Sequence, residues 1–444
     1  MIAILAVQPV FSESTDNTTP RAKYIFLMIG DGMGLGQRTV ADIFLRDGNN
    51  DPGHGLLMNE FPVQGVCHTR SINSLVTDSA AAGTAIACGE KTAAGVISMD
   101  QTKKKNFSTI AEIARDKGMK VGIITSVSID HATPACFYAH VPSRNNYHDI
   151  AMQLTESGFD YFGGGKAKGA EAVKEDGAKD DAVVKAEENG FKIVTTRKEL
   201  SQCDPNDGKI WAFNHECDDN GALAYEIDRP RDHISLAEFT ARGIDILDGE
   251  KGFFMMVEGG KIDWACHAND AMTVVKDVIA FDQAVAEAFA FYEKHQEETL
   301  IVVTADHETG GMSVGCQSTG YGFYPDRMRA QRMSCAVFAD LLKKQMENDM
   351  DIQRALAMAK KELGLKNLSD DEVAVLAKEL EKSSDAFTAE CRRIISNRAG
   401  VGWTTSSHTG IPVPVSAIGA GSDLFNGLYD NTKIFHKILS VMPE

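Results

Sequence analysis

The chain has 444 residues, 43% of them hydrophobic and 24% charged, an ordinary globular balance that excludes collagen-like, low-complexity and disordered classes. Its formal net charge of −18 argues against nucleic acid or an anionic membrane as a partner, since both demand a basic footprint. Nine cysteines with no Cys-x-x-Cys pair exclude a dense disulfide framework and a thiolate zinc ribbon, while leaving a few bridges open.

Met1 to Phe11 is apolar and Ser12 to Thr19 is polar. Residues 1–20 read as the remnant of a secretory signal or as a disordered start, although no Lys or Arg precedes the apolar run. No run approaches the ~20 apolar residues of a spanning helix. Residues 21–444 are expected to form one domain with a helix-rich insertion at about 311–405. Tyr24 to Ile29 (YIFLMI) predicts a buried strand that breaks at Gly30-Asp31-Gly32-Met33-Gly34, where Asp31 is either a site carboxylate at a strand tip or part of a common Asp-Gly turn. In Thr77-Asp78-Ser79-Ala80-Ala81-Ala82-Gly83, Ser79 falls in the first turn of an Ala-rich helix. The free N–H groups there suit a phosphate, or the polar start is a plain N-cap.

Ile110 to Lys117 is helical in character and leads into a strand at Val121 to Thr125. Asp130-His131-Ala132-Thr133-Pro134 follows, with Pro134 and Pro142 marking loop structure and Arg144 either gripping an oxyanion or lying on the surface. Phe253 to Val257 predicts a strand ending at Glu258. Asp263 and His267 stand four apart, on one face of a helix, as a metal-ligand pair or a surface pair. Thr273 to Phe291 is helical, and Leu300 to Thr304 is a strand that delivers Asp306-His307. The segment 311–405 is charged and helix-rich, with a capping box at Ser369-Asp370-Asp371-Glu372. His408 lies just before Val413 to Ile418, which reads as the last strand.

Continuous apolar strands alternating with helices predict an α/β fold, a three-layer αβα sandwich with a mostly parallel central sheet. In such sheets chemistry sits outside the carboxyl ends of the strands, where Asp31, Glu258 and Asp306-His307 fall.

Six segments taken in order carry a resemblance: DGMG at 31–34, TDSAAAGTA at 77–85, DHATPACFYAHVPSR at 130–144, VEGGKIDWACH at 257–267, TADHETGG at 304–311 and SSHTG at 406–410. With these the sequence resembles the alkaline phosphatase family along nearly its whole length. The resemblance implies one zinc held by Asp263, His267 and His408, and a second held by Asp31, Asp306 and His307 with Ser79 as its nucleophilic ligand. A magnesium would take Asp31, Thr133 and Glu258, and Arg144 would bind the phosphate oxygens. His131 stands where the best-known bacterial form has Asp, and Trp264 where others carry Lys or His; the combination is similar to a subset of marine and cold-active members, and both residues would flank the phosphate. Imidazole suits zinc or cobalt better than magnesium, so another divalent ion can replace the magnesium.

The implied activity is hydrolysis of phosphate monoesters through a phosphoserine at Ser79, with two zinc ions activating nucleophile, leaving group and water, broad specificity and an alkaline optimum. Inorganic phosphate would be the product inhibitor, a homodimer the assembly, and the periplasm or exterior the location. Two readings compete: another hydrolase of the same superfamily, such as a phosphodiesterase, and a non-catalytic metal- or phosphate-binding protein. A sulfatase would need Cys/Ser-x-Pro-x-Arg, whereas Ser79 is followed by three alanines.

Overall fold

Tyr24–Ile29 (β1) lies at the heart of a sheet whose other strands are Val63–His68 (β2), Lys120–Thr125 (β3), Tyr161–Gly164 (β4), Phe191–Val194 (β5), Lys209–Phe213 (β6), Phe253–Glu258 (β7), Thr299–Thr304 (β8), Val413–Gly419 (β9) and Gly427–Asp430 (β10). The computed structural model describes residues 21–48, 55–173, 179–347 and 350–444, so the apolar start and the expected signal remnant at 1–20 lie outside the described residues. Among these residues the ten strands are ordered β10-β2-β9-β8-β1-β7-β3-β4-β6-β5. Every residue of β1, β7 and β8 is buried, as an unbroken apolar run requires when helices cover both faces. The predicted mostly parallel αβα sandwich is what forms. Of the ten strands β9 runs against its neighbours, antiparallel to both β8 and β2.

The register decides where the polar strand ends meet. Ile29 of β1 stands opposite Thr304 of β8 and Glu258 of β7, and Thr125 of β3 also stands opposite Glu258. Four adjacent strands therefore finish level. The residues just past them, Asp31 and Asp306, share one edge of the sheet with Glu258.

Behind this edge Ala271–Tyr292 forms a 22-residue helix whose Phe281 is fully buried. Phe281 packs so tightly on the turn after β7 that a Cβ at Gly259 would stand 2.9 Å from its ring. The contact fixes how the chain leaves Glu258 for the helix Lys261–His267. Between 311 and 405 the chain forms the helices Cys335–Met346, Ile352–Glu362, Asp370–Leu380 and Ser384–Ala399, and Ser313–Val314 pairs with Val401–Gly402 where the segment begins and ends. The capping box at Ser369 and Glu372 is present.

Two expectations need correction. Pro134 sits in a one-turn helix, Ala132–Ala135, and not in a loop; the first turn tolerates proline because its N–H would have no partner within the helix. Val413–Gly419 is followed by β10, a four-residue edge strand too short and too exposed to stand out as an apolar run. All nine cysteines are free thiols, so the bridges left open do not form.

Phe281→Ala is expected to cost about 3–5 kcal/mol, the range for emptying a buried aromatic site, read as a lowered denaturation midpoint; a loss under about 1 kcal/mol would contradict this packing.

Candidate active site

Ser79 opens the helix Ser79–Cys88 (α1), and Asp78 caps it. Asp78 is extended, and its Oδ1 accepts the Ala81 N–H at 3.1 Å. Its Oδ2 accepts the Gly95 N–H at 3.0 Å and Arg144 Nη1 at 3.2 Å. One carboxylate thus ties the serine helix to the arginine. All of α1 is buried, and the small residues permit this: a Cβ at Gly83 would stand 2.9 Å from Cys136 Sγ. The helix is thereby drawn against Ala132–Ala135 (α2), which carries Thr133.

Three imidazoles converge near Ser79, each with its far nitrogen tied down. His267 Nδ1 donates to the Ser406 carbonyl at 2.7 Å, and His408 Nδ1 to the Thr77 carbonyl at 2.8 Å. The two Nε2 atoms face each other only 3.1 Å apart, and each offers a lone pair once deprotonated. Two ring nitrogens this close share either a proton or a metal cation, and the Asp263 carboxylate raises His267 to about 9 when no metal is bound. Asp263 Oδ2 is 3.3 Å from His267 Nε2, and Asp263 Oδ1 is 3.8 Å from His408 Nε2. His307 follows the same logic: Thr309 Oγ1 donates to Asp263 Oδ1 at 2.5 Å and accepts from His307 Nδ1 at 3.2 Å. His307 Nε2 then faces Ser79 Oγ at 3.2 Å, Asp306 Oδ2 at 3.2 Å and Asp31 Oδ1 at 3.5 Å.

The carboxylates supply the opposing half. Asp31, Glu258 and Asp306 are fully buried, and both oxygens of Asp31, Oε1 of Glu258 and Oδ2 of Asp306 accept no hydrogen bond. Burial, reinforced by Asp306, Asp263 and Glu258, pushes Asp31 well above the usual carboxylate range. Burial likewise raises Glu258 to about 8 and Asp306 to about 7. His131 shifts the other way: burial and the neighbouring Arg144 lower it to about 3. Orphaned oxygens and inward lone pairs together fit divalent cations. Three groups have ligand atoms close enough to share an ion: Asp263, His267 and His408; Asp31, Asp263 and His307; and Asp31, His131 and Glu258. Thr133 Oγ1, buried and without a hydrogen-bond partner, lies beside Glu258 of the last group.

Every site residue singled out in the sequence therefore lies around this centre. Arg144 Nη2 is 3.1 Å from His131 Nε2, and the Trp264 ring meets the His131 ring edge-on at 6.0 Å. A profile of the alkaline phosphatase family matches residues 22–443. The chain belongs to the alkaline phosphatase family. It is an enzyme, a phosphoric monoester hydrolase of a metal-dependent family. It is 32% identical to alkaline phosphatase 3 of Bacillus subtilis over 95% of this chain and 89% of that one. The repressible alkaline phosphatase of Saccharomyces cerevisiae is 29% identical, over 94% and 80%. Among solved structures, the cold-active alkaline phosphatase of a psychrophilic Shewanella matches with a TM-score of 0.84 and 30% identity, covering 95% of this chain and all of that one. A histidine-to-aspartate mutant of TAB5 alkaline phosphatase with magnesium in its M3 site matches at 0.67 and 28%, covering 96% and 99%.

Sequence reasoning missed the residues that hold the ligands. Glu308, buried, accepts from Gln37 Nε2 at 2.7 Å, from the Gly311 and Met312 N–H groups at 3.1 and 3.2 Å, and from Thr409 Oγ1. It clamps the two-residue ladder in which Glu308–Thr309 pairs with His408–Thr409, and that ladder stacks the His307 and His408 rings 3.6 Å apart. At Gly32, with φ of +70°, a Cβ would stand 2.9 Å from both Asp263 Oδ1 and Thr309 Oγ1. Only Asp78, directly before the serine, carried a readable capping signal.

Thr309→Val would strip Asp263 and His307 of a shared partner. Affinity for a divalent metal ion is expected to fall about 10–100-fold, measured by competition with a chromophoric chelator; unchanged affinity would exclude the role. The metal-free protein should lose stability as pH rises from about 6.5 to 9. The raised folded-state values of Asp31, Asp306 near 7, Glu258 near 8 and His267 near 9 mean that the folded state binds more protons there than the unfolded state. His131 and His307, shifted down, oppose this only below an unfolded value of about 6.5. Thermal unfolding in chelator reads the effect, and a midpoint that holds or rises across the window would refute it.

Proposed function

We propose that Ser79 is the nucleophile of a broad-specificity phosphomonoesterase with an alkaline optimum, working through a phosphoserine. The observation that carries this reading is the Ser79 hydroxyl lying 3.2 Å from His307 Nε2 at the buried start of α1, His307 being a member of one of the three ligand groups. Asp263, His267 and His408 would hold one zinc. Asp31, Asp306 and His307 would hold a second beside Ser79, with Asp263 close to both. Asp31, Glu258 and Thr133 would hold a magnesium, and His131, whose ring belongs to the same group, favours zinc or cobalt there. When bound, these ions supply the charge that stabilises attacking and leaving oxygens and lowers the pKa of the serine hydroxyl and of water.

The chain's own residues do the rest. Ser79 Oγ attacks phosphorus in line and the ester oxygen departs as the alcohol; water then cleaves the Ser79–phosphate bond and releases inorganic phosphate, which also binds as product inhibitor. Arg144, braced by Asp78 on one edge and His131 on the other, presents its remaining N–H groups to the phosphoryl oxygens. The first N–H groups of α1, which Asp78 satisfies only in part, add donors on the same side. Positive charge at this one point overcomes the repulsion between a phosphate dianion and a chain of net charge −18. A homodimer and a periplasmic or secreted location complete the proposal, supported by family resemblance alone.

The test is turnover of nitrophenyl phosphate with and without chelator, alongside metal analysis. Ser79→Ala is expected to abolish nearly all turnover with metal content intact, and full activity in that variant would remove the serine from the mechanism. Preference for the bis(nitrophenyl) ester would instead mark a phosphodiesterase.

A further inference from the structure

Lys261 has no part in the chemistry above, yet it is only 3% exposed. A lysine ammonium is almost never buried without compensating partners. Here Nζ lies 3.0 Å from Asp218 Oδ2, 4.0 Å from the centroid of the Tyr225 ring and 4.4 Å from that of Trp264. The carboxylate is itself held in place: Asp218 Oδ1 accepts the Asn220 and Ala222 N–H groups, both at 2.9 Å. The ammonium is thus pinned from three sides, and one of those sides is the face of an indole.

That indole leads back to the site. Lys261 and Trp264 stand three apart on Lys261–His267 (α3), so they share a flank of the helix, while Asp263 and His267, four apart, share the metal side. Trp264 meets His131 edge-on at 6.0 Å with the rings 75° apart, and His131 Nε2 accepts from Arg144 Nη2 at 3.1 Å. The line runs without a gap from Asp218 through Lys261, Trp264 and His131 to the guanidinium. Taking Arg144 as the phosphate ligand, as in the function proposed above, we propose that Lys261 is a positioning residue: its ammonium fixes the Trp264 ring, and the ring holds His131 and Arg144 in the attitude that binds phosphate.

Such a residue acts on phosphate binding more than on the bond-breaking step. In metal-loaded protein, Lys261→Met is expected to raise KM for nitrophenyl phosphate and Ki for inorganic phosphate about tenfold, the scale of one desolvated cation–π contact. The turnover number should fall far less. Lys261→Arg, which keeps the cation, should recover most of the loss. Trp264→Leu should match Lys261→Met, and the double variant should be no worse than either single one. Trp264 emission, isolated by subtracting the spectrum of Trp264→Phe, should shift in Lys261→Met and become more open to acrylamide quenching, with or without metal.

Unchanged KM and Ki in Lys261→Met, or losses that multiply in the double variant, would overturn the proposal. If Lys261→Met fails to fold, Trp264→Leu and Tyr225→Leu carry the test through Ki alone, and wild-type values in both would overturn it. Wild-type protein without monoester turnover would overturn the function reading instead; the Trp264 emission would still decide the Lys261 contact.

Discussion

Negative charge crowded into a dry interior is the constraint around which the rest is arranged. Asp31, Asp306 and Glu258 are fully buried at the level ends of adjacent parallel strands, and Asp263 joins them from α3. In water four carboxylates would repel weakly. Inside the protein burial and mutual repulsion raise Asp31, Glu258 and Asp306, while the histidines beside Asp263 hold it below the usual carboxylate range, and several of the oxygens accept no hydrogen bond. Protons or metal cations are the two ways to settle such a cluster. The three imidazoles beside it turn their Nε2 atoms inward, where each offers a lone pair to a metal once deprotonated.

Keeping those lone pairs inward is a task spread over distant parts of the chain. His408 is anchored by the Thr77 carbonyl, His267 by Ser406, and His307 by Thr309. Thr77 lies two residues before Ser79, so the anchor of His408 also belongs to the loop that delivers this serine. Asp78 does the same on the other side, capping α1 while bracing Arg144. Ser79, the inward-facing histidines and Arg144 are therefore not independent modules. A shift in the 77–79 turn moves all three.

Legibility in the sequence followed period and length. The central strands β1, β3, β7 and β8 stand out because both faces are buried and their apolar runs are unbroken. β2 alternates buried and exposed residues, and β4, β5 and β6 are four or five residues long, so none stands out from its surroundings. The antiparallel course of β9 had no local signal at all, since strand direction depends on which neighbours it finds. Pro134 reads as a loop marker, yet a one-turn helix accepts it at a position where its missing N–H costs nothing.

By itself the sequence determined the chemistry available: an acidic or histidine-bearing residue at the ends of β1, β7 and β8, a serine at the start of a small-residue helix, and the i,i+4 spacing of Asp263 and His267. These are local properties, set by residue type and by the 3.6 and 2.0 periods of helix and strand. Only the tertiary structure decided which of these residues meet. The ladder pairing residues 308–309 with 408–409, the sharing of Asp263 with Thr309, and the ion pair of Lys261 with Asp218 join residues from 43 to 101 apart along the chain. Contacts of that kind are made by the packing of the whole sheet, and no stretch of sequence short enough to show a pattern contains both partners.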